Sequence, residues 1–278
     1  MNKSNLLVIG LVTMMFLGFS SCGNGDSAAK LIKAIADSGV LNKDEGNNAN
    51  PSSTLINETP QASQVNGNTM TYGDHTYTVS GYIGDKPGEV IGYRGTPTAT
   101  VTFTNVPSGF EEFSAVYTGL LGKSVQGTAA MIPMALEIYA RDKSVGLRCL
   151  NLLCNSGSTV NGITRILDTK LVPSQYAGPD DPYLQRYMAA ALLKGATADN
   201  AYKPVEPYTV EMCASANKPQ QVTGGTDTFV YILAKGWDTE QRQVEIFQPN
   251  GSELYKVYNC PSCYTQCKTI IGTWGGLK

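Results

Sequence analysis

Three cysteines crowd into eight residues near the end of the chain: Cys260, Cys263 and Cys267, in the stretch NCPSCYTQCK. Cys-x2-Cys is half of a zinc knuckle, but a fourth ligand would have to come from Cys213, Cys149, Cys154 or His75, none of them paired with a neighbour at ligand spacing. The same spacing serves redox enzymes, where a helix N-terminus after a strand lowers the first thiol's pKa. Here it follows a hairpin, with no βαβ unit around it. The reading therefore assigns no metal and no cofactor, and treats Cys260, Cys263, Cys267 and Cys213 as candidates for disulfides. Cys260 and Cys263 could close across a turn; Cys263 and Cys267 would need a helical turn, because five extended residues separate their Cα atoms by about 13 Å. Cys149 and Cys154, placed on one helix, lie about 140° apart around its axis and roughly 8 Å apart, too far to bond to each other.

Other reactive groups are sparse. The single histidine, His75, follows Asp74, and together they could supply a general base for a hydrolase. Gly122-Lys123-Ser124 ends like a phosphate-binding loop, but Tyr117 stands where its first glycine belongs, so a helix-to-helix turn with Ser124 as cap explains it better. Glu111-Glu112 and Asp180-Asp181 are adjacent in sequence, which does not build the facing pair of a glycosidase. Trp237, with Tyr231, Lys235 and Asp238 nearby, is a candidate stacking surface for a ligand. With 21 Lys and Arg against 23 Asp and Glu, the chain offers no basic stripe for nucleic acid.

The first 22 residues address the protein. Lys3 precedes an apolar run from Leu6 to Phe19, shorter than the ~20 residues a membrane span takes and arranged like a secretory signal. Its ending, Phe19-Ser20-Ser21-Cys22, resembles the lipobox of bacterial lipoproteins, which implies cleavage before Cys22 and acylation of its thiol. Several acyl chains on one residue give stable anchoring. The expected place is the cell envelope, at the outer membrane on its periplasmic or surface face. After Cys22 comes a tether, residues 23–69, with a possible short helix and then a stretch rich in Asn, Ser, Gln, Thr, Gly and Pro. Such composition buries too little to offset its ordering entropy, and 28 such residues would hold a body roughly 30 Å from its anchor.

Residues 70–278 are read as one domain. Thr71–Tyr82 and Thr98–Thr104 alternate like a strand pair. Helical spacing then runs over 110–121, 124–141 with a kink or late start at Pro133, 144–154, from Ser158 or Thr159 to about 171, and 181–195. The period returns to two at YTVEMCA, TFVYILAK and a hairpin over 242–258, whose Asn250-Gly251 predicts a type I′ turn pairing Ile246 with Tyr255 and Val244 with Val257. Strands, then clustered helices, then strands make an α+β fold, with a helical middle packed on an antiparallel C-terminal sheet.

Gly119-Leu-Leu-Gly-Lys123, the run from Ala129 to Arg141, Asp181-Pro-Tyr183, Leu192 to Asn200 and Tyr202 to Val210 together resemble an uncharacterised family of exported bacterial domains, over residues 110–271. That resemblance implies a domain of unknown function on secreted or lipid-anchored proteins, with no active site to carry over. The leading expectation is a non-catalytic, lipid-anchored envelope protein that binds a glycan, a peptide or another envelope protein, or is structural. The runner-up is an envelope enzyme, thiol-dependent through Cys260, Cys263 and Cys267 or a hydrolase using Asp74 and His75.

Overall fold

A computed structural model of the chain describes residues 63–83, 97–215 and 219–278. The signal, Cys22 and most of the tether lie outside the described residues. Strands begin at Ser63, inside the stretch whose composition reads as tether: β1 (Ser63–Asn66) pairs with β2 (Thr69–Tyr72), which pairs with β3 (His75–Gly81). Two tight turns make this possible, with Gly67 and Gly73 taking φ of 60° and 59° at the first loop position, as glycine does in type II′ turns. β3 pairs with β4 (Ala99–Phe103) as the alternation predicts, but the first strand expected over Thr71–Tyr82 is broken by the Gly73-Asp74 turn, which leaves Thr71 and Tyr72 in β2.

Four helices follow: α1 (Phe110–Gly119), α2 (Val125–Arg141), α3 (Lys143–Leu153) and α4 (Gly157–Lys170). Each of the last three starts on a side-chain cap. Ser124, Asp142 and Ser156 accept from backbone N–H groups of the first turn, so α3 is capped two residues before the expected Ser144 and α4 ahead of both Ser158 and Thr159. α2 runs through Pro133 rather than starting after it, and every residue from Val125 to Tyr139 is buried. Burial on all sides explains why a proline survives there: packing against the sheet and α3 holds the helix where one backbone bond is lost. Glycines set the spacing. A Cβ on Gly146 of α3 would meet the Cα of Tyr139 in α2 at 2.3 Å.

The fifth helix expected over 181–195 does not form. Its residues run through turns to a short 3-10 segment, Ala190–Leu192. The Asp181 side chain accepts from Tyr183 N at 2.7 Å, closing an Asx turn in place of a helical first turn. The run Met188–Leu193 is buried on all sides, so its apolar density reflects a core crossing rather than one helical face.

The chain then returns to the sheet as β5 (Tyr208–Ala214), β6 (Gln220–Val222), β7 (Gly225–Leu233), β8 (Gln241–Pro249) and β9 (Lys256–Asn259). The sheet order is β1-β2-β3-β4-β5-β7-β8-β9, with β6 also on β7, and every pair is antiparallel. The fold is α+β, with a helical middle on an antiparallel sheet. Met70, Tyr77, Phe103 and Tyr208 form one buried row across four strands, with Phe103 against Tyr208 at 5.5 Å between ring centres.

The β8–β9 hairpin is there, but with a longer loop. Ile246 pairs with Val257 and Phe247 with Lys256, two residues out of the register a two-residue loop would set. Only Gly251 takes a positive φ, 75°, and Ser252 N bonds to Pro249 O at 3.0 Å. This turn needs one left-handed residue, not the two of type I′. A shift of two residues keeps each side chain on its face, so the core pattern is unchanged.

Candidate functional site: two clefts around Trp274

The site is built by a loop and the chain's last segment. Residues 195–203 wind tightly around Asn200, whose Oδ1 accepts from Thr197 N (2.9 Å) and Lys203 N (3.2 Å) and whose Nδ2 donates to Gly195 O (2.8 Å) and Lys203 O (3.1 Å). The next two residues, Ala201 and Tyr202, both take φ of 53°. Consecutive left-handed non-glycine residues are costly, and such backbone persists where its surroundings over-determine it. Here the Tyr202 ring is buried, stacked on Tyr187 at 5.1 Å, and its hydroxyl donates to Lys268 O at 2.9 Å.

The segment after Tyr264 is tied down in succession. Cys267 and Gln185 exchange two bonds of 2.8 Å, and Ile271 N donates to Ala198 O at 2.9 Å. Lys278 N donates to the Tyr208 hydroxyl at 2.9 Å, and its carbonyl accepts from Val106 N at 2.9 Å. Between these ties stands Trp274, half-buried, its ring edge-on to Tyr187 at 6.4 Å. It separates two clefts and lines both. One, of about 380 Å³, lies between residues 200–208 and 273–278; the other, of about 260 Å³, includes Asp180, Asp181, Arg186 and Ile270. The first is within the usual range of small-molecule sites. Next in sequence to lining residues, Tyr183, Val205 and Ile271 are 59%, 53% and 67% exposed.

The surface expected at Trp237 and Tyr231 does not form. Trp237 is 6% exposed, with Arg242 over its ring at 4.6 Å and its indole N–H on Thr265 O. Tyr231 is half-buried in β7, opposite Cys213 and Gln243. Trp237 sits among polar residues beside a strand, which in sequence reads as exposure, yet its ring is buried. The signal for Trp274 was its glycine setting, GTWGG, which leaves a ring on backbone with few neighbours to bury it.

All six described cysteines are buried, and no disulfide joins any of them. Cys260 and Cys263 share a short 3-10 turn closed by Cys263 N on Cys260 O at 2.9 Å, and Cys154, bridged to Val257, belongs to the same neighbourhood. Burial pushes the Cys263 and Cys267 thiols up to about 12, and Cys260 well above its ordinary value. Thiols held there stay protonated at neutral pH and are poor nucleophiles. Among the described residues, no three His, Cys, Asp or Glu side chains converge to hold a metal ion.

Asp74 and His75 are side by side, but the close partner is another residue. His75 Nδ1 lies 2.6 Å from Glu112 Oε1, while its Nε2 is 3.7 Å from the exposed Asp74. Glu112 is buried, and its two oxygens also take the Tyr77 hydroxyl at 2.6 Å, Ser108 N at 2.7 Å and the Ser108 hydroxyl at 2.8 Å. Burial, and after it the contact with the Glu112 carboxylate, push the Tyr77 hydroxyl far up. Glu112 was missed as a partner of His75, although its place in the first turn of α1, four residues after Ser108, is where a helix takes a carboxylate reaching back. Lys123 and Ser124 lie in the α1–α2 turn, with Ser124 capping α2 through Gly127 N at 3.1 Å.

Fold and surface together define an α+β domain with a two-part cleft around one tryptophan. The chain belongs to the family described as Domain of unknown function (DUF6935), which matches residues 105–271, 167 of its 278 residues. No curated protein and no solved structure matches it. The family match takes in Glu112 and the Asn200 loop but leaves out β1–β4, His75 and Trp274.

Proposed function

We propose that this is a lipid-anchored cell-envelope protein, held through acylated Cys22, that binds an extended ligand without catalysis. The carrying observation is Trp274: one half-buried indole lines two adjacent clefts, so a chain crossing both would lie over its ring. The strained pair Ala201-Tyr202 beside the larger cleft supports the same reading. A Cys22→Ser variant of the full chain loses acyl labelling and leaves the membrane fraction. Trp274→Ala keeps both but loses retention on isolated envelope polysaccharide or peptidoglycan. Retention that survives Trp274→Ala would contradict the proposal.

A second reading rests on His75. A carboxylate on Nδ1 is how hydrolases orient an imidazole whose Nε2 then acts as base, and Glu112 stands in that relation at 2.6 Å. If the protein is a hydrolase, His75→Ala abolishes turnover of whatever ester, amide or glycoside is found to be cleaved. The described residues place Nε2 3.7 Å from the exposed Asp74, and the binding role is preferred for the two clefts at Trp274.

A further inference from the structure

We infer that the ligand of the Trp274 clefts is a neutral, polyhydroxylated chain, an uncharged oligosaccharide, rather than an acidic polymer or a peptide. This rests on the reading of the clefts as the binding surface and adds the chemistry of what they take.

The charge balance of the lining carries the argument. Three cations line the two clefts, Arg186, Lys203 and Lys278, and three anions, Asp180, Asp181 and Glu206. Both signs occur in each cleft, so a polyanion would meet carboxylates wherever it met a cation. Part of each set is already engaged: Glu206 pairs with Lys278 Nζ at 2.8 Å, and Asp181 Oδ1 takes the Tyr183 N–H. Arg186, Asp180 and the Lys203 ammonium have no such partner among the described residues, which leaves donors and an acceptor flanking the indole. A sugar hydroxyl is donor and acceptor at once and suits both. The C–H face of a pyranose is apolar and suits the ring of Trp274, which lines both clefts. A peptide that binds by adding a strand needs an open strand edge, and apart from Tyr208, at the start of β5, the clefts are lined by loop and turn.

The test is a titration of the full chain with cello-oligosaccharide and manno-oligosaccharide against polygalacturonate, followed by tryptophan fluorescence and calorimetry, with Trp274→Ala and the conservative Trp274→Phe alongside and thermal melts confirming their folding. Expected is binding of a neutral chain whose Kd stays within about twofold from about 0.05 to about 0.5 M salt, weakens about tenfold or more in Trp274→Ala and is largely kept in Trp274→Phe. Binding of polygalacturonate alone, weakening with salt yet sensitive to Trp274→Ala, would overturn the neutral class and leave the cleft standing. Binding indifferent to Trp274→Ala would overturn the cleft itself. No response to any saccharide would overturn the inference.

Discussion

His75 Nδ1 lies 2.6 Å from Glu112 Oε1, and that contact joins the first residue of β3 to the first turn of α1. Four donors converge on one buried carboxylate, so the two partners are not equivalent. Removing Glu112 orphans the Tyr77 hydroxyl and Ser108 as well, whereas removing His75 leaves three of the bonds in place. Glu112→Ala is therefore expected to cost about 2 to 5 kcal/mol, and His75→Ala about 1 kcal/mol, in urea denaturation. Equal losses would show that the network does not centre on the carboxylate.

Glycines of the helices separate by what surrounds them. Gly146→Ala drives a methyl into the Tyr139 backbone and should destabilise by about 1 to 3 kcal/mol. Gly162, inside α4 with nothing within 4 Å of a built Cβ, should gain about 0.5 to 1 kcal/mol on change to Ala. Chemical denaturation of both variants checks the pair, and opposite signs are required.

Asp227 and Glu245 sit diagonally on β7 and β8, and both carboxyls are held above their ordinary values. Burial is the main cause for each, and Asp227 adds repulsion to Glu245. An acid with a raised folded pKa keeps its proton in the folded state after the unfolded chain has lost it. Stability from this pair is thus greatest below the unfolded value and falls as pH rises through the folded one. Asp227 Oδ1 has no hydrogen-bond partner, so Asp227→Asn should melt higher than the parent at pH 7 and close to it at about pH 3. A variant that melts lower at pH 7 would mean that the carboxylate has a stabilising role.

The buried thiols make a kinetic prediction. With Cys149, Cys154, Cys263 and Cys267 pushed up to about 12 by burial, roughly one thiol in 10⁵ is ionised at pH 7. A thiol reagent should leave Cys149, Cys154, Cys260, Cys263 and Cys267 unmodified over hours in the folded protein and label them once the chain is unfolded without reductant. Rapid labelling of Cys260, Cys263 or Cys267 in the folded protein would revive a thiol-dependent role.

The layering was legible where period and caps agreed. Alternation located β3, β4, β5 and the β8–β9 hairpin, and helical spacing located α1 to α4. What escaped had local chemistry that competed with the pattern. Asp181 closes an Asx turn where a helix start was expected, and Gly251 alone bends a turn expected to need two left-handed residues. β1 is exposed at all four residues, so its hydrophobicity carried no signal and its pairing with β2 came from Gly67. The site was less legible still, because a cleft between residues 200–208 and 273–278 depends on long-range ties such as Ile271 to Ala198 and Lys278 to Tyr208. Residue types alone do not announce such ties, and the three terminal cysteines, whose spacing resembles that of a reactive site, are interior side chains.

The most direct test of the binding role is amide hydrogen exchange on the full chain with and without a saturating neutral oligosaccharide. The account predicts new protection confined to residues 200–206, 183–187 and 270–276, absent in Trp274→Ala. Protection appearing instead around His75 and Glu112, or nowhere near Trp274, would contradict it.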